Sequence, residues 1–200
     1  MLPARLKLTL IALTLCAAAA VTGVVLAQGR TPQPESLHVT DGWAGALRPP
    51  HQPVPHFALK NQDGKVVTSE SLKGAPVVFA FIYSTCRDTC PAQVQTIRGA
   101  LDDLGRDVRV IGISVDPAND TPKRAAAFLV KQSMTGRMDF LLGTREQLAP
   151  VWKAFAIQPQ TRNLDHSAHT VLADARGFQR VGFPYEQLTP EALAHDLARL

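Results

Sequence analysis

The chain has little cysteine, few aromatic residues and almost no net charge outside its first residues. Its 200 residues include three cysteines, Cys16, Cys86 and Cys90. Cys16 falls inside an apolar run and reads as a small buried hydrophobe. The remaining pair is too small a set for a disulfide-framed scaffold, and it cannot supply the four ligands of an all-cysteine zinc site. Aromatics make up 6% of the residues and no block of Lys or Arg stands out, which leaves a nucleic-acid partner unsupported. The formal charge is +4, but Arg5 and Lys7 precede the apolar run; residues 28–200 carry 19 basic against 17 acidic side chains.

Leu8 to Ala27, "LTLIALTLCAAAAVTGVVLA", is uncharged throughout. At about 1.5 Å per residue its 20 residues reach ~30 Å, the thickness of a bilayer core. Two readings follow. Residues 1–27 form a membrane anchor whose leading Arg5 and Lys7 stay in the cytoplasm, or they form a signal peptide cleaved after Val25-Leu26-Ala27. Leu15 is too large to precede a lipoprotein cysteine at Cys16. Either way the domain is exported: tethered to a bacterial inner membrane and facing the periplasm, or soluble in the periplasm. Thiols there meet an oxidising compartment.

Residues 28–54 are rich in proline (Pro32, Pro34, Pro49, Pro50, Pro53) and show no period of 2 or 3.6. They read as an extended linker, with His38, His51 and His56 as solvated residues in or just beyond it. Residues 55–200 read as one domain. "HFALKNQDGKVVT" alternates around Asp63-Gly64, a hairpin signal. "APVVFAFIYS" and "VRVIGISV" are continuous apolar runs of β-formers, hence buried strands. "PAQVQTIRGALDDLG" is a helix opened by Pro91 and closed by Gly105. "NDTPKRAAAFLVKQ" is a second helix, capped by Asp120 or Thr121. "MDFLLG" is strand-like, and "TREQLAPVWKAFAI" is helical with a kink or break near Pro150. "TVLADARGFQRVGF" gives two strands around Ala175-Arg176-Gly177, and "TPEALAHDLARL" a closing helix. This order of elements predicts an α/β, thioredoxin-like fold with an N-terminal β-hairpin addition. Strands 77–83 and 108–115 should be parallel neighbours, and strand 170–174 antiparallel to strand 77–83.

That topology brings the residues before Thr170, "NLDHSAH", beside the loop "STCRDTC". A histidine, His166 or His169, should therefore face Cys86 and Cys90. Two thiolates and one imidazole form a soft, three-coordinate set that suits Cu(I), whereas zinc would want a fourth ligand. Pro91 puts Cys90 at a helix N-terminus, where the dipole favours thiolate, and Arg87 adds positive charge. Asp88 and Asp165 are candidate acceptors around the ligands. His166 lies farther into the loop than His169 and is favoured by a modest margin.

"TCRDTCP", "ISVDPANDTP" and "LDHSAHTVLAD", in this order, resemble the Sco/SenC family of membrane-anchored copper chaperones from about Pro55 to Leu200. The resemblance implies a thioredoxin-like fold and copper held by Cys86, Cys90 and His166. It also implies a role in building the binuclear copper centre of cytochrome c oxidase, by delivering the metal, by reducing that centre's cysteines, or both. The implied partners are the copper-centre subunit of the oxidase and another copper chaperone or a thiol reductant. Arg87 stands where many members have proline, and the segment 157–164 is shorter than in many. The competing function is a thiol–disulfide oxidoreductase with Cys86 attacking and Cys90 resolving. A peroxidase lacks support, because both cysteines share one loop and no dedicated peroxide-site signature is present.

Overall fold

The computed structural model describes residues 39–106, 108–160 and 168–200, together with Pro3. The apolar segment with Cys16, linker residues 28–38 with His38, and the site candidates Asp165 and His166 lie outside the described residues. Among the described residues no helix is long and apolar enough to cross a membrane.

In chain order the strands are β1 Ala46–Leu47, β2 Ala58–Lys60, β3 Val66–Thr68, β4 Val77–Ile82, β5 Arg109–Ser114, β6 Met138–Leu141, β7 His169–Ala173 and β8 Gln179–Pro184. The helices are α1 Thr89–Leu104, α2 Pro122–Lys131, α3 Arg145–Phe155 and α4 Pro190–Leu197. Six strands form one sheet in the order β1-β8-β7-β4-β5-β6, and β2-β3 form a separate hairpin. β4 and β5 are parallel, with Ile82 opposite Ser114. β7 runs antiparallel to β4, with Ala80 opposite Thr170. The expected thioredoxin-like layout is thus present, hairpin addition included.

The apolar run of β4 is buried along its whole length because both faces of the sheet are covered. Val78, Ala80 and Ile82 pack with Val94, Ile97 and Leu101 of α1 and Leu193 and Leu197 of α4. Phe79 and Phe81 face the other way, toward Phe155 of α3, with ring centroids 5.0 and 5.1 Å away.

Three local expectations are corrected. Helix α1 begins at Thr89, before Pro91, so Cys90 already sits in its first turn. Helix α3 runs through Pro150 without a break. Its start is fixed by a reciprocal capping box between Thr144 and Gln147, which offsets the hydrogen bond that a proline nitrogen cannot donate. Finally, residues 39–54 are not a free tether. β1 pairs with β8, Pro53 bridges to Phe178, and the Ala44 and Gly45 amides donate to the fully buried Asp196 carboxylate at 2.9 Å each. The prolines of this stretch deny it internal periodicity yet suit an edge position, where a missing N–H costs little.

Candidate functional site

The central strands β4 and β5 end side by side, and the cysteine loop leaves from the end of β4. Val115 N–H donates to the Ile82 carbonyl at 3.0 Å, carrying the pairing one residue past the strands. The chain then turns through Tyr83, Ser84 and Thr85 into Cys86, whose own N–H donates to the Tyr83 carbonyl at 3.3 Å. Cys86 is half-buried and Cys90 fully buried, and both are free thiols. The Cys90 amide donates to Cys86 Sγ at 3.2 Å, a contact made possible because the first turn of a helix leaves its amides unpaired.

These contacts make the two sulfurs unequal. The Cys86 thiol falls to about 5, first because the Cys90 thiol donates to its sulfur, and further because the Cys90 and Asp88 amides and the Tyr83 hydroxyl do so; burial opposes them. Cys90 is pushed up, since its hydrogen bond to Cys86 favours the protonated form and burial adds to that. Tyr83 also rises, from burial and from its bond to Cys86. The result is a half-buried thiolate resting against a buried thiol. This is the asymmetry that a nucleophile–resolver pair needs.

Arg87 and Asp88 are exposed, in the loop between the cysteines. Asp88 is the residue before α1, but its side chain makes no capping bond. Topology does bring the start of β7 to this end of the sheet. His169 is half-buried there, its pKa lowered by burial and by the positive Arg48, with Glu186 opposing. Its Nδ1 is buried and has no partner among the described residues. Nor do three His, Cys, Asp or Glu side chains gather into a metal-sized cluster among the described residues, so His169 does not join the two cysteines.

Three further residues frame the loop, and sequence reasoning missed their roles. Gln93, one turn beyond Cys90 and fully buried, donates through Nε2 to the His169 carbonyl and to Thr170 Oγ1, at 2.9 Å each. It ties the cysteine helix to β7. Tyr83 directs its hydroxyl at Cys86. Asp120, expected as a possible helix cap, instead turns inward; Thr121 alone caps α2, accepting from the Arg124 amide at 3.3 Å. Asp120 accepts from the Ser84 amide at 2.7 Å and from the Ser84 and Ser114 hydroxyls. The available signal was that two apolar strands both run into serine, Ser84 and Ser114, at the same end of the sheet.

A thioredoxin-like domain with a dithiol at the junction of its central strand and first helix, beside the start of an antiparallel strand, defines the class. The chain belongs to the SCO1/SenC family, whose model matches residues 46–200. It is similar to Protein SenC of Rhodobacter capsulatus, 35% identical over 149 residues, which are 69% of this chain and 66% of the relative. The SCO1 protein homolog of Bacillus subtilis is 39% identical over 94 residues, 45% of this chain and 49% of that protein. The matches thus span between half and two thirds of these curated relatives. Among solved structures, copper-bound ScoI of Bradyrhizobium japonicum is 34% identical, with a TM-score of 0.64, covering 74% of this chain and 98% of that one. BsSco, described as a member of a family of cytochrome c oxidase assembly proteins and as carrying a disulfide switch, is 26% identical, with a TM-score of 0.66, covering 80% and 96%.

Proposed function

We propose that this protein binds Cu(I) through Cys86, Cys90 and His166 and serves assembly of the binuclear copper centre of cytochrome c oxidase. The observation that carries the reading is the bonding of Cys90, through its amide at 3.2 Å and through its thiol, to the sulfur of Cys86, at the end of the sheet that the start of β7 also reaches. Adjoining soft donors fit a soft, low-coordinate ion, and the similarity to copper-bound ScoI points the same way. A site of few ligands at a half-exposed loop suits hand-over, because an acceptor's thiolate can replace one ligand at a time. Arg87 and the start of α1 would offset the negative charge of a dithiolate–Cu(I) unit. Residues 1–27 would hold the domain at the outer face of the inner membrane, facing the periplasm.

The unequal thiols favour a second role at the same site. Cys86 thiolate would attack a disulfide in the acceptor, forming a mixed disulfide. Cys90 would then lose its proton, attack Cys86 and release the acceptor as a dithiol. The acceptor gains two electrons, Cys86 and Cys90 become a disulfide, and an external thiol reductant must restore them. The two roles separate by variant. Delivery requires both sulfurs and the imidazole, so Cys86→Ser, Cys90→Ser and His166→Ala each abolish oxidase copper-centre assembly, while His169→Ala leaves Cu(I) binding nearly intact. Reduction requires only the sulfurs, so His166→Ala keeps substantial activity. Full-length protein that fails to hold Cu(I) under reducing conditions overturns the metal reading.

A further inference from the structure

Asp120 is 9% exposed, and a carboxylate so buried persists only when its oxygens are bonded. Its partners are specific to the cysteine end of the sheet. Oδ1 receives both the main-chain N–H (2.7 Å) and the hydroxyl of Ser84, two residues before Cys86. Oδ2 receives the hydroxyl of Ser114, the last residue of β5 and fully buried. The carboxylate therefore bolts the root of the cysteine loop to the neighbouring strand. Its own place is set by the turn that leads into α2, where the Asp120 amide donates to the Asp116 carbonyl at 2.9 Å and Thr121 caps the helix. Helix capping does not use Asp120, so nothing in α2 explains why a carboxylate is buried there.

We propose that Asp120 is a positioning residue of the dithiol site, acting through Ser84 to hold Cys86 at the reach of Cys90. Without it the loop must be ordered afresh each time the sulfurs converge, on a metal ion or on each other. That cost falls on every reaction of the pair. The inference rests on the proposed dithiol function and extends it to a residue thirty positions downstream of Cys90.

The test uses the full-length protein as wild type, Asp120→Ala, Asp120→Asn, Ser84→Ala and Thr121→Ala, with two readouts. One is the Cu(I) dissociation constant by competition with a chromophoric chelator. The other is the metal-free equilibrium with glutathione disulfide, in which two electrons and two protons leave the dithiol, giving the Cys86–Cys90 disulfide and two glutathione thiols. Asp120→Ala should weaken Cu(I) binding about 10–100-fold, as loss of a residue supporting metal ligands does, and should shift the glutathione equilibrium toward dithiol. Asp120→Asn keeps an oxygen for Ser84 but turns a donor toward Ser114, and should fall between Asp120→Ala and wild type. Thr121→Ala removes only the cap of α2 and should change neither readout. The proposal is overturned if folded Asp120→Ala matches wild type in both, or if Thr121→Ala reproduces its losses. Should Asp120→Ala not fold, Asp120→Asn and Ser84→Ala decide: both indistinguishable from wild type sinks the idea. If wild type itself binds no Cu(I), the metal function falls, while the glutathione equilibrium still decides the role of Asp120.

Discussion

Two nearly buried aspartates sit at opposite ends of the sheet and are treated in opposite ways. Asp174, 8% exposed, closes the turn between β7 and β8. Burial pushes its carboxyl up, but the Phe178 amide, the Arg180 guanidinium and the Arg176 amide together hold it below its ordinary value. Asp120, 9% exposed, closes the cysteine end with one amide and two hydroxyls, and burial wins: its carboxyl is raised. A carboxylate given arginines and two amides is a fastener that gains strength from its charge. One given mostly hydroxyls fastens at a cost, which proteins tolerate chiefly where a site demands it. The contrast separates a structural end of the molecule from a chemical one.

The largest effect that would break this contrast comes from deleting Asp174. Asp174→Ala strands the Arg176 and Phe178 amides, each bonded at 3.0 Å, and the Arg180 guanidinium at 3.1 Å. With three part-buried donors left without their acceptor, the expected loss is about 2–3 kcal/mol in urea unfolding at pH 7. Cu(I) affinity and the glutathione equilibrium should stay at wild-type values, because the turn lies at the far end of β7 from the cysteines. A copper-binding loss matching that of Asp120→Ala would show that the two ends are not separable.

The pH dependence sharpens the comparison with a smaller effect of opposite sign. The folded pKa of Asp174 is depressed, so its ionisation contributes stability above the unfolded carboxylate range, near 3.9, and loses it as pH falls toward the folded value. Asp174→Asn should cost about 1–2 kcal/mol at pH 7, and this gap from wild type should close on acidification. The folded pKa of Asp120 is raised, so its contribution is greatest at low pH and declines as pH rises from the unfolded value through the folded one. The gap between wild type and Asp120→Asn should therefore widen on acidification. Denaturant midpoints measured across the acid range check both, and parallel curves for the two variants would contradict the assigned shifts.

The same contrast marks how far the sequence could be read. The apolar runs of β4 and β5, the Gly105 end of α1 and the hairpin around Asp63-Gly64 are local signals, and each appears where its pattern puts it. The position of the dithiol was legible because a strand–turn–helix junction follows from the same patterns. Asp120 was not, since Asp before Thr-Pro is equally good as a cap, and only the tertiary convergence of Ser84 and Ser114 on its carboxylate decides which way it turns. Gln93 was hidden for the same reason: on a helix its type says nothing of a carbonyl 76 residues away. Residues 39–54 were misread because a sheet edge asks for no periodicity of its own. It asks only for a partner such as Asp196, and the carboxylate that supplies one lies 151 residues from Gly45.

The smallest effects decide whether amides or arginines hold Asp174 down, and so what Asp120 lacks. Arg176 is 72% exposed at its side chain and reaches Asp174 at 3.6 Å, while Arg180, 38% exposed, reaches it at 3.1 Å. An exposed pair is screened and pays the entropy of a long side chain, so Arg176→Ala should cost no more than about 0.5 kcal/mol. Its stacking over Phe178, 5.6 Å from the ring centroid, lies within the same surface range. Arg180→Ala should cost about 1 kcal/mol, because the pair is partly shielded and directly hydrogen bonded. Raising the salt concentration should erase the first difference and leave most of the second. With the amides intact, the Asp174 carboxyl should stay below its ordinary value in both variants when followed by carbon NMR against pH. A return to the ordinary value in Arg180→Ala alone would assign the depression to that one cation. The two ends of the sheet would then differ by a single guanidinium rather than by the number of amides each turn supplies.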